Sequence, residues 1–328
     1  MHPKGLGSPG GSLARSLLLL LLPACGLGWI GTEDDRTAGL PTSGAGPYQR
    51  LEPDDLTPAS EPRFLNDTRA DVEDPSMLAG GAGLRVWFTR RTEDPVVSEI
   101  HYLEAASAHV LPSVGPMGVL SASETWEDGV VSSPSVTKDA AGQLVMFYEG
   151  GVAAPSIGRA VSTDGVTWTK DGDPLLVGAT SPSVVFVHGE TWLFVTRPNE
   201  LGIWRAVDTG SGFDFDPAPV ILPRPGETDA FDQLAVFDPF ALAVPTLEPG
   251  VTRVHLWFAG TTEDPPATSI GYAATFDGLD WLRFGGLKPM LSADAAGPTV
   301  ILEAAGGLML FEGSAAGGTR VTLDAAEL

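Results

Sequence analysis

The stretch SPSVTKDAAGQLVMFYEGGVAAPSIGRAVSTDGVTWTKDGDPLL, residues 133–176, decides the fold of this chain. Its short apolar and β-branched segments are typical of strands. A tight hairpin turn is indicated at Asp164-Gly165, since glycine adopts positive φ without steric cost. The stretch therefore predicts a four-stranded meander, with strands ending at Val136 and spanning 144–148, 157–162 and 166–169.

The same pattern recurs five times along the chain. Each unit begins with a small residue or aspartate followed by proline, and these pre-proline residues are Asp74, Ser133, Ser181, Asp238 and Gly297. They lie 59, 48, 57 and 59 residues apart. Four-stranded units repeated at such intervals are typical of propeller blades. The sequence predicts an all-β protein with very little helix, a five-bladed β-propeller of four-stranded antiparallel blades at about 71–121, 133–178, 180–223, 235–291 and 295–328.

The N-terminus has the pattern of an export signal. A basic start is followed by an apolar run at residues 17–22, which is too short for a bilayer span of about 20 residues. The sequence Leu22-Pro23-Ala24-Cys25 resembles the bacterial lipobox, whose cysteine is lipidated. The resemblance implies a signal peptide at 1–24 and an exported lipoprotein, anchored through Cys25 in the outer membrane or at the cell surface. The alternative is a plain signal peptide that is cut nearby.

Residues 26–66 show no strand period and are rich in Gly, Pro, Ser, Thr, Asp and Glu. This composition is typical of a flexible tether, so we divide the chain into a lipidated cysteine and tether at 25–66 and a propeller at 67–328. The last blade has only three predicted strands. Because an open sheet edge promotes aggregation, the ring must close, and we expect a segment between residues 48 and 65 to supply the missing outer strand.

Charge and cysteine content exclude several classes of function. The formal net charge is −23 at pH 7, which makes nucleic acid or an anionic membrane surface a poor partner. Since Cys25 is the only cysteine, no internal disulfide can form. The four histidines outside the leader have no metal-ligand spacing. No metal site and no cofactor are predicted, although acidic loops near the channel are compatible with Ca²⁺.

The first strand of each propeller blade lines the central channel, so the pre-proline residues converge at one mouth. Asp74 and Asp238 hold the same repeat position in blades one and four. Two facing carboxylates are the minimal equipment for hydrolysis of a glycosidic bond. The structural alternative is that Asp caps a turn while Pro fixes φ.

The Asp-Pro and Ser-Pro beginnings, with strands such as VMFYEGG and SIGRAVSTDGVTW, resemble the five-bladed propeller glycoside hydrolases. That group comprises arabinanases and β-xylosidases, invertases and levansucrases, and mannoside phosphorylases. The resemblance implies Asp74 as general base and Asp238, one position off the family pattern, as general acid or its partner. Two positions depart from the arabinanase pattern, since Ser181 replaces an aspartate and Asp238 replaces a glutamate. Ser76 replaces the arginine expected in the phosphorylase branch.

Five further side chains are candidates for substrate binding. Ser133 and Ser181 are expected at the mouth, Glu149 and Arg90 follow second strands, and Trp126 lies outside the repeat as a stacking platform for a sugar. The structural alternatives are that Glu149 flanks a turn, that Arg90 forms a surface salt bridge and that Trp126 packs in the core. The function indicated is a lipid-anchored propeller that hydrolyses or binds a glycan. The alternative is a non-catalytic propeller that recognises a glycan or a protein at the cell surface.

Overall fold

The computed structural model describes residues 48–51, 64–81, 83–110, 115–246, 249–292, 294–303, 306–314 and 321–327. Within these ranges the strands form five small antiparallel sheets in a ring, and the one helical segment is a 3₁₀ turn at Thr125–Glu127. The predicted five-bladed propeller with very little helix is confirmed. The predicted leader and Cys25 lie outside the described residues.

The chain enters the ring at β1 (Gln49–Arg50) and then builds the first three blades in order. Blade one consists of β2 (Asp71–Gly80), β3 (Gly83–Glu93), β4 (Val96–Ala105) and β5 (Met117–Leu120). Blade two consists of β6 (Val131–Lys138), β7 (Leu144–Gly150) and β8 (Ser156–Ser162), with the short β9 (Thr169–Lys170) and β10 (Leu176–Val177) both paired to β8. Blade three consists of β11 (Thr180–Val187), β12 (Glu190–Thr196), β13 (Ile203–Asp208) and β14 (Phe213–Phe215).

The last two blades complete the ring. Blade four consists of β15 (Ala235–Pro245), β16 (Thr252–Thr261), β17 (Thr268–Thr275) and β18 (Leu282–Arg283). Blade five consists of β19 (Ala296–Glu303), β20 (Gly306–Ser314) and β21 (Val321–Glu327). In the first four blades, and from β19 to β21 in blade five, the strand order follows the chain order outward from the channel.

The N-terminal segment closes blade five. β1 pairs antiparallel with β21, and Leu65 forms a further bridge with Leu323. Tyr48 and Phe64 are buried beside this pairing, at 1% and 2% exposure. The predicted outer strand between residues 48 and 65 is confirmed. The propeller therefore includes residues 48–51, 64 and 65, which the sequence places in the tether, because their apolar side chains cover an otherwise open sheet edge.

The hydrophobic core consists of five clusters, each between two neighbouring blades. The aromatic residue of each second strand is fully or almost fully buried in one of these clusters, and these residues are Phe88, Phe147, Phe194, Phe258 and Phe311. The clusters hold neighbouring blades together without any hydrogen-bonded sheet passing from one blade to the next. Burial of a large side chain stabilises by about 1.5 to 3 kcal/mol, so these aromatics make the ring rigid.

A bulge interrupts every first strand at its Xaa-Pro pair. Proline has no N–H to donate, and a bulge leaves one residue outside the ladder, so the two fit together. The pre-proline residues adopt the left-handed region, with φ of 51, 50, 48, 46 and 50° in chain order. This conformation is costly for a non-glycine residue, at roughly 1 to 3 kcal/mol. Its repetition sets the direction of the pre-proline side chains at one end of the channel.

Hydroxyl groups two residues after the pre-proline position link neighbouring blades. Ser76, Ser135 and Ser183 each accept a backbone N–H from the first strand of the following blade, at 2.7 to 3.1 Å. Thr299 of blade five accepts the N–H of Met77 in blade one in the same way, at 3.1 Å. The small hydroxyl residues therefore tie the innermost strands together around the axis.

Candidate functional site: a ring of carboxylates at one channel mouth

The five pre-proline residues lie together at one mouth of the central channel. The cavity there has a volume of about 30 Å³ and is lined by these residues, the prolines that follow them, and Ser76, Ser135, Ser183 and Phe240. A cavity needs roughly 10 to 15 Å³ of such space for one water molecule, so this one holds about two or three. A sugar therefore has room only above the mouth.

Asp74 is the most extensively bonded side chain of the mouth. Its Oδ2 atom accepts hydrogen bonds from the Thr89 hydroxyl at 3.0 Å and the Ser133 hydroxyl at 3.1 Å. Its backbone N–H donates to Glu312 Oε1 at 2.6 Å. These contacts join blades one, two and five around a single half-buried carboxylate and fix its orientation.

A continuous set of contacts leads from Asp74 to Asp238. The Ser133 hydroxyl that donates to Asp74 also lies 3.4 Å from Glu149 Oε2. The same Glu149 atom accepts the backbone N–H of Ser181 at 3.0 Å, and the Ser181 hydroxyl donates to Asp238 Oδ1 at 3.0 Å. Five of the predicted site residues, Asp74, Ser133, Glu149, Ser181 and Asp238, are therefore connected one after another around the mouth.

The carboxylates of the mouth raise one another's pKa. Burial, followed by the charge of Asp74, raises the pKa of Asp238 to about 7. Burial raises the pKa of Glu149 to about 7, with the charge of Asp74 adding to the effect. Glu73, next to the ring, has its pKa raised to about 7 by burial and by Asp74. Groups that hold a proton near neutral pH are suited to general acid catalysis.

Asp74 and Glu312 also have raised pKa values. Burial raises the pKa of Asp74, although hydrogen bonds from Thr89 and Ser133 oppose the increase. Burial and then the charges of Asp74 and Asp238 hold the pKa of Glu312 well above its usual range. The mouth therefore binds protons more tightly than isolated carboxylates do, and clusters of this kind are typical of functional sites.

Arg90, a predicted binding residue, points away from the ring. Successive side chains of a strand alternate between its two faces, and Thr89 bonds to Asp74, so Arg90 faces the other side. Its Nε atom forms a salt bridge with Asp67 at 2.7 Å. The exposed Arg91 is on the ring side, and its charge lowers the pKa of Glu73 and Glu149.

Trp126, the predicted stacking platform, packs on the opposite face of blade two from Glu149. Its ring stacks on Tyr148 at a centroid distance of 5.9 Å, and its Nε1 atom donates to the carbonyl of Gly172 at 2.7 Å. Gly158 leaves room for the ring, since a Cβ there would lie 2.8 Å from it. One face of the indole is therefore already covered by protein, in the interface between blades one and two.

Sequence reasoning missed one residue of the mouth, Thr89, which donates to Asp74. Glu312 is visible in the sequence as an acid of the repeated FYEG and FEG strings, and Arg91 as a cation that follows the second strand of blade one. Thr89 and Glu312 share one position of the repeat with Glu149, opposite the residue that precedes each Xaa-Pro pair. In blades one and five this position directly follows the aromatic residue of the second strand, whereas in blade two it lies two residues after it. The shared position is therefore visible when the repeats are aligned by strand register, but not when they are aligned by the aromatic residue.

In the part of the chain that the structure describes, no group of three or more His, Cys, Asp or Glu side chains is arranged to hold a metal ion. No helix in these ranges is long and apolar enough to cross a membrane.

The fold is similar to that of several solved glycoside hydrolases. A glycosyl hydrolase from Bacteroides ovatus is 14% identical, with 84% of this chain and 93% of that chain covered at a TM-score of 0.58. An exo-1,5-α-L-arabinanase from a bovine ruminal metagenomic library is 13% identical, with 81% and 96% covered at 0.56. The catalytic domain of a GH62 α-L-arabinofuranosidase from Coprinopsis cinerea is 11% identical, with 87% and 97% covered at 0.58.

These similarities confirm the predicted resemblance at the level of the fold. No protein-family model and no curated protein matches the sequence. The three solved structures are covered almost completely, so the whole propeller corresponds and not merely a few blades.

Proposed function

We propose that this protein is an exported, lipid-anchored propeller that binds a glycan above the channel mouth and hydrolyses it, with Asp74 as general base and Asp238 as general acid. The observation that carries the proposal is the pairing of these two aspartates at one mouth. Asp74 is oriented by two hydroxyl donors, and its charge helps to raise the pKa of Asp238 to about 7. Two carboxyl groups with different environments divide the roles of acid and base.

The fold of the chain supports a carbohydrate substrate. Solved glycoside hydrolases share the five-bladed architecture along most of its length. The remaining mouth residues suit sugar hydroxyl groups, since Ser133, Ser181 and Glu149 offer donors and acceptors, and the exposed Arg91 supplies a cation at the rim.

A screen of glycan substrates tests the proposal. The soluble propeller, starting before Tyr48 so that its closing strand is kept, is assayed on aryl arabinosides, xylosides, fructosides and mannosides, with and without phosphate. We expect turnover that falls by a factor of about 10² to 10⁴ in Asp74→Asn and in Asp238→Asn. Glu227→Gln, an exposed carboxylate away from the mouth, serves as the matched control. Undiminished turnover in both aspartate variants would refute the catalytic roles.

The small cavity favours a second candidate function, non-catalytic recognition of a glycan at the mouth. The cavity of about 30 Å³ admits no sugar ring into the channel, so a ligand contacts only the upper edge of the carboxylates. Glycan binding measured by calorimetry, without turnover on any substrate and unchanged in Asp74→Asn, would establish this function in place of hydrolysis.

Membrane anchoring is tested separately. Expression of the full chain in a bacterial host, followed by detergent phase partitioning, should place the wild type in the detergent phase. Cys25→Ser should move the protein to the aqueous phase, since acyl chains supply the membrane affinity. An aqueous wild type would contradict the lipid anchor and leave the propeller's activity unaffected.

A further inference from the structure

Glu312 holds a position that serves the same purpose in three blades. On β3, β7 and β20 the side chains of Thr89, Glu149 and Glu312 each accept the backbone N–H of the pre-proline residue of the next blade, at 2.8, 3.0 and 2.6 Å. A threonine hydroxyl is sufficient for this contact in blade one. The contact alone therefore does not explain why blade five has a carboxyl group there.

The surroundings of Glu312 differ from those of Thr89 and Glu149 in one respect. The pre-proline residue of its own blade is Gly297, and a Cβ on that residue would lie 2.5 Å from Glu312 Oε1. The absence of a side chain there opens the space that the Glu312 carboxyl group occupies. From this position Glu312 Oε1 accepts the backbone N–H of Asp74 at 2.6 Å, which places the carboxyl group of Glu312 beside that of Asp74.

Two carboxyl groups can share a hydrogen bond only if one of them carries a proton, because an ionised carboxylate is an acceptor alone. Asp74 already accepts hydrogen bonds from Thr89 and Ser133, and both contacts favour its ionised form. Glu312 receives one backbone N–H and otherwise faces acidic groups. The charged groups around the pair are Glu73, Asp71, Glu149 and Asp238, with Arg91 as the cation at the rim.

We propose that Glu312 holds a proton at neutral pH and donates it in a hydrogen bond to the Asp74 carboxylate. Glu312 is then the positioning residue that keeps Asp74 ionised and aimed at the mouth. It removes one negative charge from a ring that has few cations nearby, and Asp74 keeps the capacity to accept a proton. This role rests on the proposed function only in so far as Asp74 acts as a base.

The proton on Glu312 is measured directly by NMR on protein labelled with ¹³C at the glutamate carboxyl groups. The Glu312 resonance is assigned as the one lost in Glu312→Gln, with Glu149→Gln and Glu73→Gln identifying its neighbours and Glu227→Gln an exposed, ordinary carboxyl group. We expect the Glu312 resonance at the chemical shift of a protonated carboxyl group at pH 7. An ionised Glu312 at pH 7 would overturn the proposal. This experiment needs no glycan, so it stands whether or not the protein hydrolyses one.

Function is tested by comparing two substitutions of Glu312. In Glu312→Gln the amide oxygen still accepts the N–H of Asp74 and the amide N–H replaces the proposed proton. In Glu312→Ala both contacts are lost. If the screen yields a substrate, we expect kcat/KM within about threefold of wild type in Glu312→Gln and at least tenfold lower in Glu312→Ala, with a shifted pH profile. Equal losses in both variants, or a shifted profile in Glu312→Gln, would contradict the role of the proton. Should the glutamine variant not fold, Glu312→Asp, which also removes the labelled glutamate carboxyl group, assigns the Glu312 resonance in its place.

Discussion

The buried carboxylates of this propeller fall into two sets that differ in their partners. Glu127 and Asp232, between the blades, are both inaccessible to solvent and ion-paired. The carboxylates of the mouth, Asp74, Glu149, Asp238 and Glu312, bond mainly to hydroxyl and backbone groups. A buried charge without a cation is costly, so the first set has the character of structural groups and the second that of functional ones.

Glu127 is the clearest member of the first set. Lys170 Nζ donates to both of its oxygens at 2.5 and 2.7 Å, and the Tyr148 hydroxyl donates at 2.8 Å. Backbone N–H groups of Ser123 and Glu124 complete its shell. Burial alone would raise the pKa of Glu127, but these donors outweigh it and the pKa lies below its usual value.

Blade four repeats this arrangement with other residues. Asp232 is ion-paired with Arg224 at 2.8 Å and Arg283 at 2.7 Å. It follows Phe231, which packs against Gly260 and Gly271, as Trp126 packs against Gly150 and Gly158 in blade two. An aromatic residue over two glycines, followed by a buried paired acid, therefore holds the segment in front of each of these blades. Its occurrence in both blades, where the chemistry of the mouth is not involved, supports a structural role.

Breaking the Glu127 pair should have the largest effect on stability. Lys170→Met leaves Glu127 buried without a cation, and we expect the free energy of unfolding to fall by about 3 to 5 kcal/mol. Urea denaturation of the soluble propeller at pH 7 measures it, with the exposed Lys138→Met as the matched control. A loss below 1 kcal/mol would place Glu127 outside the structural set.

Substitution of Gly158, which lies beneath the ring of Trp126, should have the next largest effect on stability. In Gly158→Ala the new Cβ would lie 2.7 Å from Tyr148 and 2.8 Å from Trp126, so both rings must shift. We expect a loss of about 1 to 3 kcal/mol in the free energy of unfolding, which is typical of an overpacked core. Gly115→Ala, where the Cβ meets no neighbour, is the control. An unchanged urea midpoint would mean that Trp126 moves freely, as its predicted role as a sugar platform requires.

The fold was predictable because its signals are local and repeated. Xaa-Pro pairs, apolar second strands and the Asp164-Gly165 turn recur at similar spacing, and the number of blades follows from counting them. The closing strand was predictable for a different reason, since three strands in blade five leave an edge that must be covered. Its exact place at Gln49–Arg50 was not, because two residues carry no strand period.

The mouth was only partly predictable. Asp74 and Asp238 share a visible motif, whereas Glu312 and Thr89 matter through the register of second strands and through contacts between residues more than 40 positions apart. Left-handed φ at the pre-proline residues was also hidden, because sequence rules favour extended backbone before proline. Bulges and contacts between blades, which determine where each carboxylate points, arise only when the ring is closed.

A smaller loss is expected when a hydroxyl of the inner ring is removed. Ser183 is buried, and in Ser183→Ala the N–H of Ala241 loses its acceptor at 2.7 Å. We expect the free energy of unfolding to fall by about 1 to 2 kcal/mol, measured by urea denaturation against the exposed Ser121→Ala. Because Ser183 lies below the carboxylates, glycan binding should stay unchanged. A loss of binding without a loss of stability would mean that the inner hydroxyl ring belongs to the site.

The smallest effect, and the one with the opposite sign, is expected at the mouth. Asp238 has its pKa raised to about 7 by burial and by Asp74, so its folded form binds a proton more tightly than its unfolded form. The stability from that proton is complete below the pKa of an unfolded aspartate and is lost as the pH rises through about 7. Asp238→Asn should therefore increase the free energy of unfolding at pH 8 by on the order of 1 kcal/mol, after allowance for the solvent exposure of this half-buried group. At pH 5 the gain should be clearly smaller, and below about pH 4 it should disappear, because the unfolded aspartate is then protonated as well. The exposed Asp173→Asn should show no such gain. A variant that is less stable than wild type at pH 8 would move Asp238 into the structural set with Glu127. A gain in stability accompanied by loss of turnover is the behaviour of a charge that is retained for function at the expense of stability.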